Sequence, residues 1–292
     1  MGSCMKIMIT GGAGFVGSHL AEYLLKNRHK IMICTKTSVK NVEGIRDKVQ
    51  LEKIDVTNYV KLEKFIIKNK PDVIIHLAGN TSHSKSFELP FNDLDSNTKS
   101  TLNILEIIRN TLPKCKFILG STFVVIGKPI KLPVNEQTPC NPTTMYGVNR
   151  LSSEYYTKIY NQVYGLNTNI FRITNSFGPK EQIIPKKNAI NYLIYISDVV
   201  SAINKIMTKG KQGELYWISS SKKTWFYEIG NTLEKLTNAK TKYVKPPKYT
   251  KKVDVGNFVV SNLKIRSLGW KPKISVKVGI EKTLKYFKDN NL

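Results

Sequence analysis

Short apolar runs, each too brief for a helix, alternate along the chain with longer stretches whose apolar residues fall three or four positions apart. The first run, Ile7-Met8-Ile9, passes without a loop into Thr10-Gly11-Gly12-Ala13-Gly14-Phe15-Val16-Gly17-Ser18-His19-Leu20, after which Leu24 and Leu25 continue a helical spacing. Further runs predict strands at 30–34, 51–56, 72–79, 116–120 and 215–218, and helical spacing predicts helices over 60–69, 93–110, from Met145, 198–207, 225–236 and 277–288. Strands alternating with amphipathic helices predict an α/β fold with a parallel sheet covered on both faces. Residues 1–174 are expected to form one domain and 175–292 a smaller, shortened one, with 193–209 returning to the first; no internal repeat or low-complexity segment interrupts them.

The glycines turn this pattern into a candidate site. Gly11, Gly14 and Gly17 have the spacing at which a chain turns tightly, approaches a pyrophosphate with its backbone and packs a helix close to a strand. The helix opening at Phe15 and Val16 points free N–H groups and its positive dipole end at such a phosphate. This predicts a doubly wound, Rossmann-type sheet holding a dinucleotide; the alternative is a Gly-rich turn before an ordinary helix. An NAD site carries an acidic residue near the end of the second strand to hold the ribose 2′-hydroxyl. Thr35 and Lys36 stand there instead, a hydroxyl and a cation that favour a 2′-phosphate, so NADP is expected ahead of NAD unless the two merely begin a polar loop. Asp55, followed by Val56, ends the third strand where a carboxylate can accept from an adenine amino group. Leu77-Ala78-Gly79 is a small-residue turn that lets backbone pass beneath a cofactor, and the preceding His76 reads as a hydrogen-bonded core histidine.

The fifth strand delivers Ser121 and Thr122 to its C-terminal end, where α/β sheets place their ligands. Beyond a proline-punctuated loop, Thr143 or Thr144 caps a helix with Tyr146 and Arg150 four residues apart on one face. Phenols, with an ordinary pKa of about 10, are poor bases at neutral pH, and a fixed cation nearby favours the phenolate. Tyr146 is thus a candidate proton carrier beside Arg150, with Thr122 sharing the substrate oxygen; the plainer alternative is a half-buried aromatic beside a surface charge.

Composition narrows the classes. With 292 residues, 41% of them hydrophobic, the chain can bury a large core, and no run approaches the length of a membrane span. Neither a signal peptide nor a metal-type cysteine spacing is read: Cys4, Cys34, Cys115 and Cys140 stand apart, as in a reduced cytoplasmic protein. The net charge of +25 invites a nucleic-acid partner, but six of the 46 basic residues are arginine and the lysines are scattered. Bidentate phosphate recognition prefers clustered arginine, so attraction of a small anionic substrate is the better reading.

Taken together, these residues resemble the extended short-chain dehydrogenase/reductase family of nucleotide-sugar epimerases, dehydratases and ketoreductases, over nearly the whole chain. Thr10–Leu20 is similar to its cofactor turn, Asp55 to its adenine-contacting acid and His76-Leu77-Ala78-Gly79 to its fourth-strand motif. Asn97 falls in its central helix, Thr122 at its catalytic Ser/Thr, and Tyr146-Gly147-Val148-Asn149-Arg150 on its Tyr-x-x-x-Lys signature. Asn175-Ser176-Phe177-Gly178-Pro179, Tyr195-Ile196-Ser197-Asp198 and Leu268-Gly269-Trp270-Lys271-Pro272 resemble later family motifs. The resemblance implies catalysis by Thr122, Tyr146 and Arg150, cofactor contacts that include Asn97, and substrate contacts from Ser121, Thr122 and Asn175. It also implies pairing of two copies through the helices at 93–110 and 145–164.

Three departures carry information. Arg150 replaces the family lysine, keeping the charge but changing bulk and donor geometry. Phe123 and Val124 stand where family dehydratases carry an Asp-Glu pair, which argues against sugar 4,6-dehydration. Fewer than about twenty residues separate Pro179 from Asp198, with Asn191 where an arginine meets the substrate diphosphate in the family. Either the substrate is smaller than a nucleotide sugar, or Lys186 and Lys187 hold the diphosphate, or a segment is missing. The expectation is an NAD(P)-dependent 4-ketosugar reductase acting on a nucleotide sugar through Tyr146. The alternatives are an epimerase with tightly bound NAD and a non-catalytic dinucleotide-binding protein.

Overall fold

Alternate residues of each strand enter opposite cores. On β1 (Lys6–Thr10), Ile7 and Ile9 face one side of the sheet and Met8 the other, all three fully buried. A computed structural model describes residues 4–36, 38–180, 190–191, 193–220, 222–237, 240–242, 253–256 and 258–290. After β1 come α1 (Phe15–Lys26), β2 (Lys30–Thr35), β3 (Gln50–Lys53), α2 (Tyr59–Asn69) and β4 (Val73–His76). Two short helices follow, α3 (His83–Glu88) and α4 (Pro90–Leu94), then α5 (Ser100–Thr111), β5 (Lys116–Thr122), α6 (Met145–Tyr164) and β6 (Thr168–Ile173). The smaller strands β7 (Ser176–Phe177), β8 (Ile190–Asn191) and β9 (Ile194–Tyr195) lead to α7 (Ile196–Lys209). The chain continues through β10 (Leu215–Ile218), β11 (Thr224–Trp225) and α8 (Phe226–Thr237), and its last helix is Val276–Asp289.

Seven strands form one parallel sheet in the order β10-β6-β5-β4-β1-β2-β3. The chain reverses direction across the sheet between β1 and β4, and ligands of open α/β sheets bind at such a switch point, beyond the carboxyl ends of the strands. One core packs β-strand residues against α1 and α7 through Leu20, Leu24, Val199 and Ile203; the other packs them against α2, α5 and α6 through Leu62, Ile66, Ile104 and Tyr160. Each fully buried aliphatic side chain stabilises by about 1.5–3 kcal/mol.

Several expectations need correcting. The third strand ends at Lys53, before Asp55, because Asp55 Oδ1 accepts from Thr57 N at 3.0 Å and from Thr57 Oγ1 at 2.9 Å, closing a local turn. The single helix expected over 93–110 is instead α4, a π turn at Asp95–Lys99 and α5. Pro90 starts α4 from its first turn, where a missing N–H costs nothing. Of the two threonines, Thr144 is the cap of α6, accepting from Gly147 N at 3.0 Å.

Candidate dinucleotide and active site

The glycine turn is shaped for close approach. Gly11 has φ +69°, and a Cβ on it would lie 2.8 Å from Ala78 N, so the turns after β1 and β4 touch backbone to backbone. Helix α1 starts at Gly14 with no side-chain cap and no acidic residue in its first turn, leaving its positive end for an anion. At the end of β2, Thr35 is buried, whereas Lys36 reaches out to Asp55 at 3.1 Å. Burial raises the Asp55 pKa, but hydrogen bonds from Thr57 and the Lys36 charge outweigh it and hold the carboxylate below its ordinary range.

His76 is a hydrogen-bonded core residue. Ser100 Oγ donates to Ser96 O at 2.7 Å, so its lone pair receives His76 Nε2–H at 3.2 Å, and Nδ1 accepts from Thr10 Oγ1 at 2.6 Å. Complete burial, with the nearby Arg150 charge, pushes its pKa down to about 3. The imidazole therefore stays neutral and ties the ends of β1 and β4 to α5.

At the C-terminal end of β5, neighbouring residues point to opposite faces. Thr122 Oγ1 accepts from Val124 N at 3.3 Å, capping the 3-10 turn Phe123–Ile126, and keeps its hydroxyl proton free to donate. The Ser121 hydroxyl instead donates to Glu154 Oε1, two turns further along α6 than Tyr146, at 2.6 Å. Ser121 is therefore engaged in the interior rather than presented to a substrate. Phe123 packs on Phe258, with ring centroids 5.2 Å apart.

The capped start of α6 places Tyr146 and Arg150 on its buried face, at 6% and 4% exposure. Arg150 Nε and Nη1 are buried without a hydrogen-bond partner, and Nη2 lies 3.4 Å from where a Cβ on Gly79 would stand. Gly79 itself has φ +153°, and a Cβ there would collide with Asn97 Oδ1, which is also buried and unpartnered. An arginine buried without compensation is costly; a guanidinium with unsatisfied donors and an unsatisfied amide oxygen, both bordering Gly79, fit a bound polyhydroxyl group. Together with the anion-ready start of α1, these groups suit a dinucleotide lying from Gly11 to Arg150.

Two residues escaped the sequence reading. The His83 ring packs on Tyr146 with centroids 5.4 Å apart. Burial lowers its pKa, and the Asp93 charge partly offsets this. Asp93, fully buried, accepts from Asn80 Nδ2 at 2.7 Å, Asn97 Nδ2 at 3.0 Å and Asn149 Nδ2 at 2.7 Å. The only sequence signal was a run, 80–97, in which Glu88, Asp93 and Asp95 stand among Asn80, Asn92 and Asn97. Asn175 uses its carbonyl to accept from Ile194 N at 3.0 Å. Lys186 and Lys187 lie outside the described residues, as does the Asn191 side chain.

A family model described as NAD dependent epimerase/dehydratase matches residues 7–219. The chain belongs to that family. A candidate UDP-glucose 4-epimerase of Methanocaldococcus jannaschii is 30% identical over 310 residues, covering 98% of this chain and 99% of the relative. The dTDP-D-glucose 4,6-dehydratase of Dictyostelium discoideum is also 30% identical, over 98% of this chain and 82% of that protein. Among solved structures, the UDP-glucose 4-epimerase of Thermotoga maritima with UDP-glucose superposes with a TM-score of 0.90 at 26% identity, covering 99% of this chain and all of that one. The extended short-chain resemblance and the Rossmann-type sheet are thereby borne out. The relatives are NAD-dependent nucleotide-sugar epimerases and dehydratases, and NAD, rather than NADP, is the dinucleotide named with the family. Among the described residues no helix is long and apolar enough to cross a membrane.

Proposed function

We propose that the protein is a nucleotide-sugar 4-epimerase that retains NAD through turnover, with 1–174 as the dinucleotide-binding half and 175–292 as the smaller substrate half. The observation that carries this reading is the content of the strand end. Thr122 and the buried Tyr146–Arg150 pair supply a proton carrier and a cation, while Phe123 and Val124 supply no acid to expel a hydroxyl. Of the two activities named among the relatives, that set supports epimerisation over dehydration. NAD is favoured over the NADP read from the sequence because it is the dinucleotide named with the family and because Asp55 engages Lys36, the cation expected to meet a 2′-phosphate.

The dinucleotide supplies hydride acceptance and return. Tyr146 Oη takes the proton of the sugar hydroxyl as that carbon is oxidised, and gives it back when the carbon is reduced on its other face. Thr122 Oγ1 donates to the same oxygen and holds it, and the Arg150 cation favours the phenolate before the proton is taken and again after it is returned. A 4-ketosugar reductase would use the same residues but exchange its cofactor every turnover. The test is mass spectrometry of dinucleotide released from purified protein, with assays on UDP-glucose, UDP-galactose and a 4-keto nucleotide sugar. NAD recovered with the protein and interconversion of the two hexoses support the epimerase. Turnover only with the ketosugar and added NADPH selects the reductase, and bound NAD with no turnover of any of them the non-catalytic alternative.

Dimerisation is part of the same reading. Val148, Tyr155, Ile159 and Val163 recur at helical spacing on the outer face of α6 and are 45–67% exposed, with Phe91 and Leu94 of α4 also exposed. Contiguous exposed apolar faces mark interfaces, and a second copy presenting the same face would cover this one. Light scattering should give twice the chain mass, reverting to one in Val163→Glu.

A further inference from the structure

We infer that Asp93 is a positioning residue for the dinucleotide, because its single buried carboxylate sets which end of the Asn97 amide faces Gly79 and Arg150. The inference rests on the reading that a dinucleotide occupies this site. Asp93 collects amides from three separate elements: Asn80 from the turn after β4, Asn97 from the π turn and Asn149 from α6, the helix that carries Tyr146 and Arg150. A carboxylate only accepts. Asn97 must therefore commit its NH2 group to Asp93, which leaves Oδ1, with no hydrogen-bond partner, against Gly79. An acceptor thus stands at the Gly79 position that the guanidinium of Arg150, with Nε and Nη1 unpartnered, also borders through Nη2. A sugar hydroxyl, which donates and accepts, satisfies both kinds of group at once, so the site is built for a ribose hydroxyl rather than for a bare anion.

The π turn serves the same geometry. Such a turn widens the helix by one residue and is frequent at functional sites; here it separates α4, which holds Asp93, from α5, and carries Asn97. Asn149 is held twice, since Thr98 Oγ1 also donates to its carbonyl at 3.0 Å. Asp93 consequently fixes α6 to the π turn as well as orienting Asn97.

Asp93→Asn keeps the shape but allows the new amide to offer donors, freeing Asn97 to turn over. Titration calorimetry of the full chain with NAD and with ADP, which lacks the nicotinamide ribose, reads the effect. NAD affinity should fall about tenfold, as for loss of one buried hydrogen-bonded contact, while ADP affinity stays within about twofold. Equal losses for both ligands, or none, would overturn the inference. Asn97→Leu, which leaves Asp93 its other two amides, should show the same selective loss and serves if Asp93→Asn does not fold; an unchanged preference for NAD over ADP in Asn97→Leu overturns the inference by itself. If the native chain binds NAD no better than ADP, it is the dinucleotide reading that fails.

Discussion

Two arginines are buried in this protein, and they are buried for opposite reasons. Arg172 on β6 makes paired bonds to Glu154, Nε–Oε1 at 2.9 Å and Nη2–Oε2 at 2.6 Å, and lies over the Trp217 ring at 5.5 Å. Ser121 and Cys140 complete its surroundings. Arg150, almost as deeply buried, has no ion pair among the described residues, and two of its nitrogens lack any partner, against Nη1 alone in Arg172. A charge paired within the fold holds elements together. Arg150 has no such role in the fold, and the proposed dinucleotide would supply the partners that the protein does not.

The contrast can be broken first at Glu154. Glu154→Ala leaves Arg172 uncompensated and should cost about 3–5 kcal/mol in chemical denaturation; a loss below about 1 kcal/mol would remove the structural assignment. Arg150→Met should do the reverse, leaving stability unchanged or raised while weakening NAD binding about 10- to 100-fold, the equivalent of about 1.5–3 kcal/mol in bonds to a charged group. Stability falling as far as in Glu154→Ala would make Arg150 a second structural arginine.

His76 sharpens the same comparison through pH. Its folded pKa, about 3, lies below the ordinary 6.5, so the unfolded chain binds the proton more readily. Its neutral burial therefore costs nothing above pH 6.5, and stability is lost as pH falls from 6.5 towards 3, at up to about 1.4 kcal/mol per pH unit. His76→Asn should flatten that limb of the stability profile; an unchanged slope would assign it to other groups. The smallest effect is expected at Lys36–Asp55, an exposed pair worth roughly 0.2–1 kcal/mol. Asp55→Asn should scarcely change melting but improve NADP binding relative to NAD, and no change in that ratio would remove the pair from cofactor choice.

The limits of the linear reading follow from where information sits. The site chemistry visible in the chain lay within single turns: Gly11 to Gly17, Tyr146 to Arg150, Leu77 to Gly79. Lys36 and Asp55 look like two independent cofactor contacts nineteen positions apart, and pairing of β2 with β3 brings them together as an ion pair. Ser121 and Thr122 look like equivalent hydroxyls, and the fold engages one with Glu154 and the other in capping the turn at Val124.

By itself the sequence determined the fold class and the alternation of strands with helices, though not β6, and it singled out the glycine turn and Thr122, Tyr146 and Arg150 as candidates. Apolar periodicity and glycine spacing are local properties that survive without tertiary contacts. Tertiary structure alone decided which polar groups are already satisfied. It gave Arg172 its carboxylate and left Arg150 without one, neutralised Lys36, and gathered three amides onto Asp93. Whether a buried charge has a counter-charge depends on atoms that packing brings from distant positions, which no local pattern in the chain records.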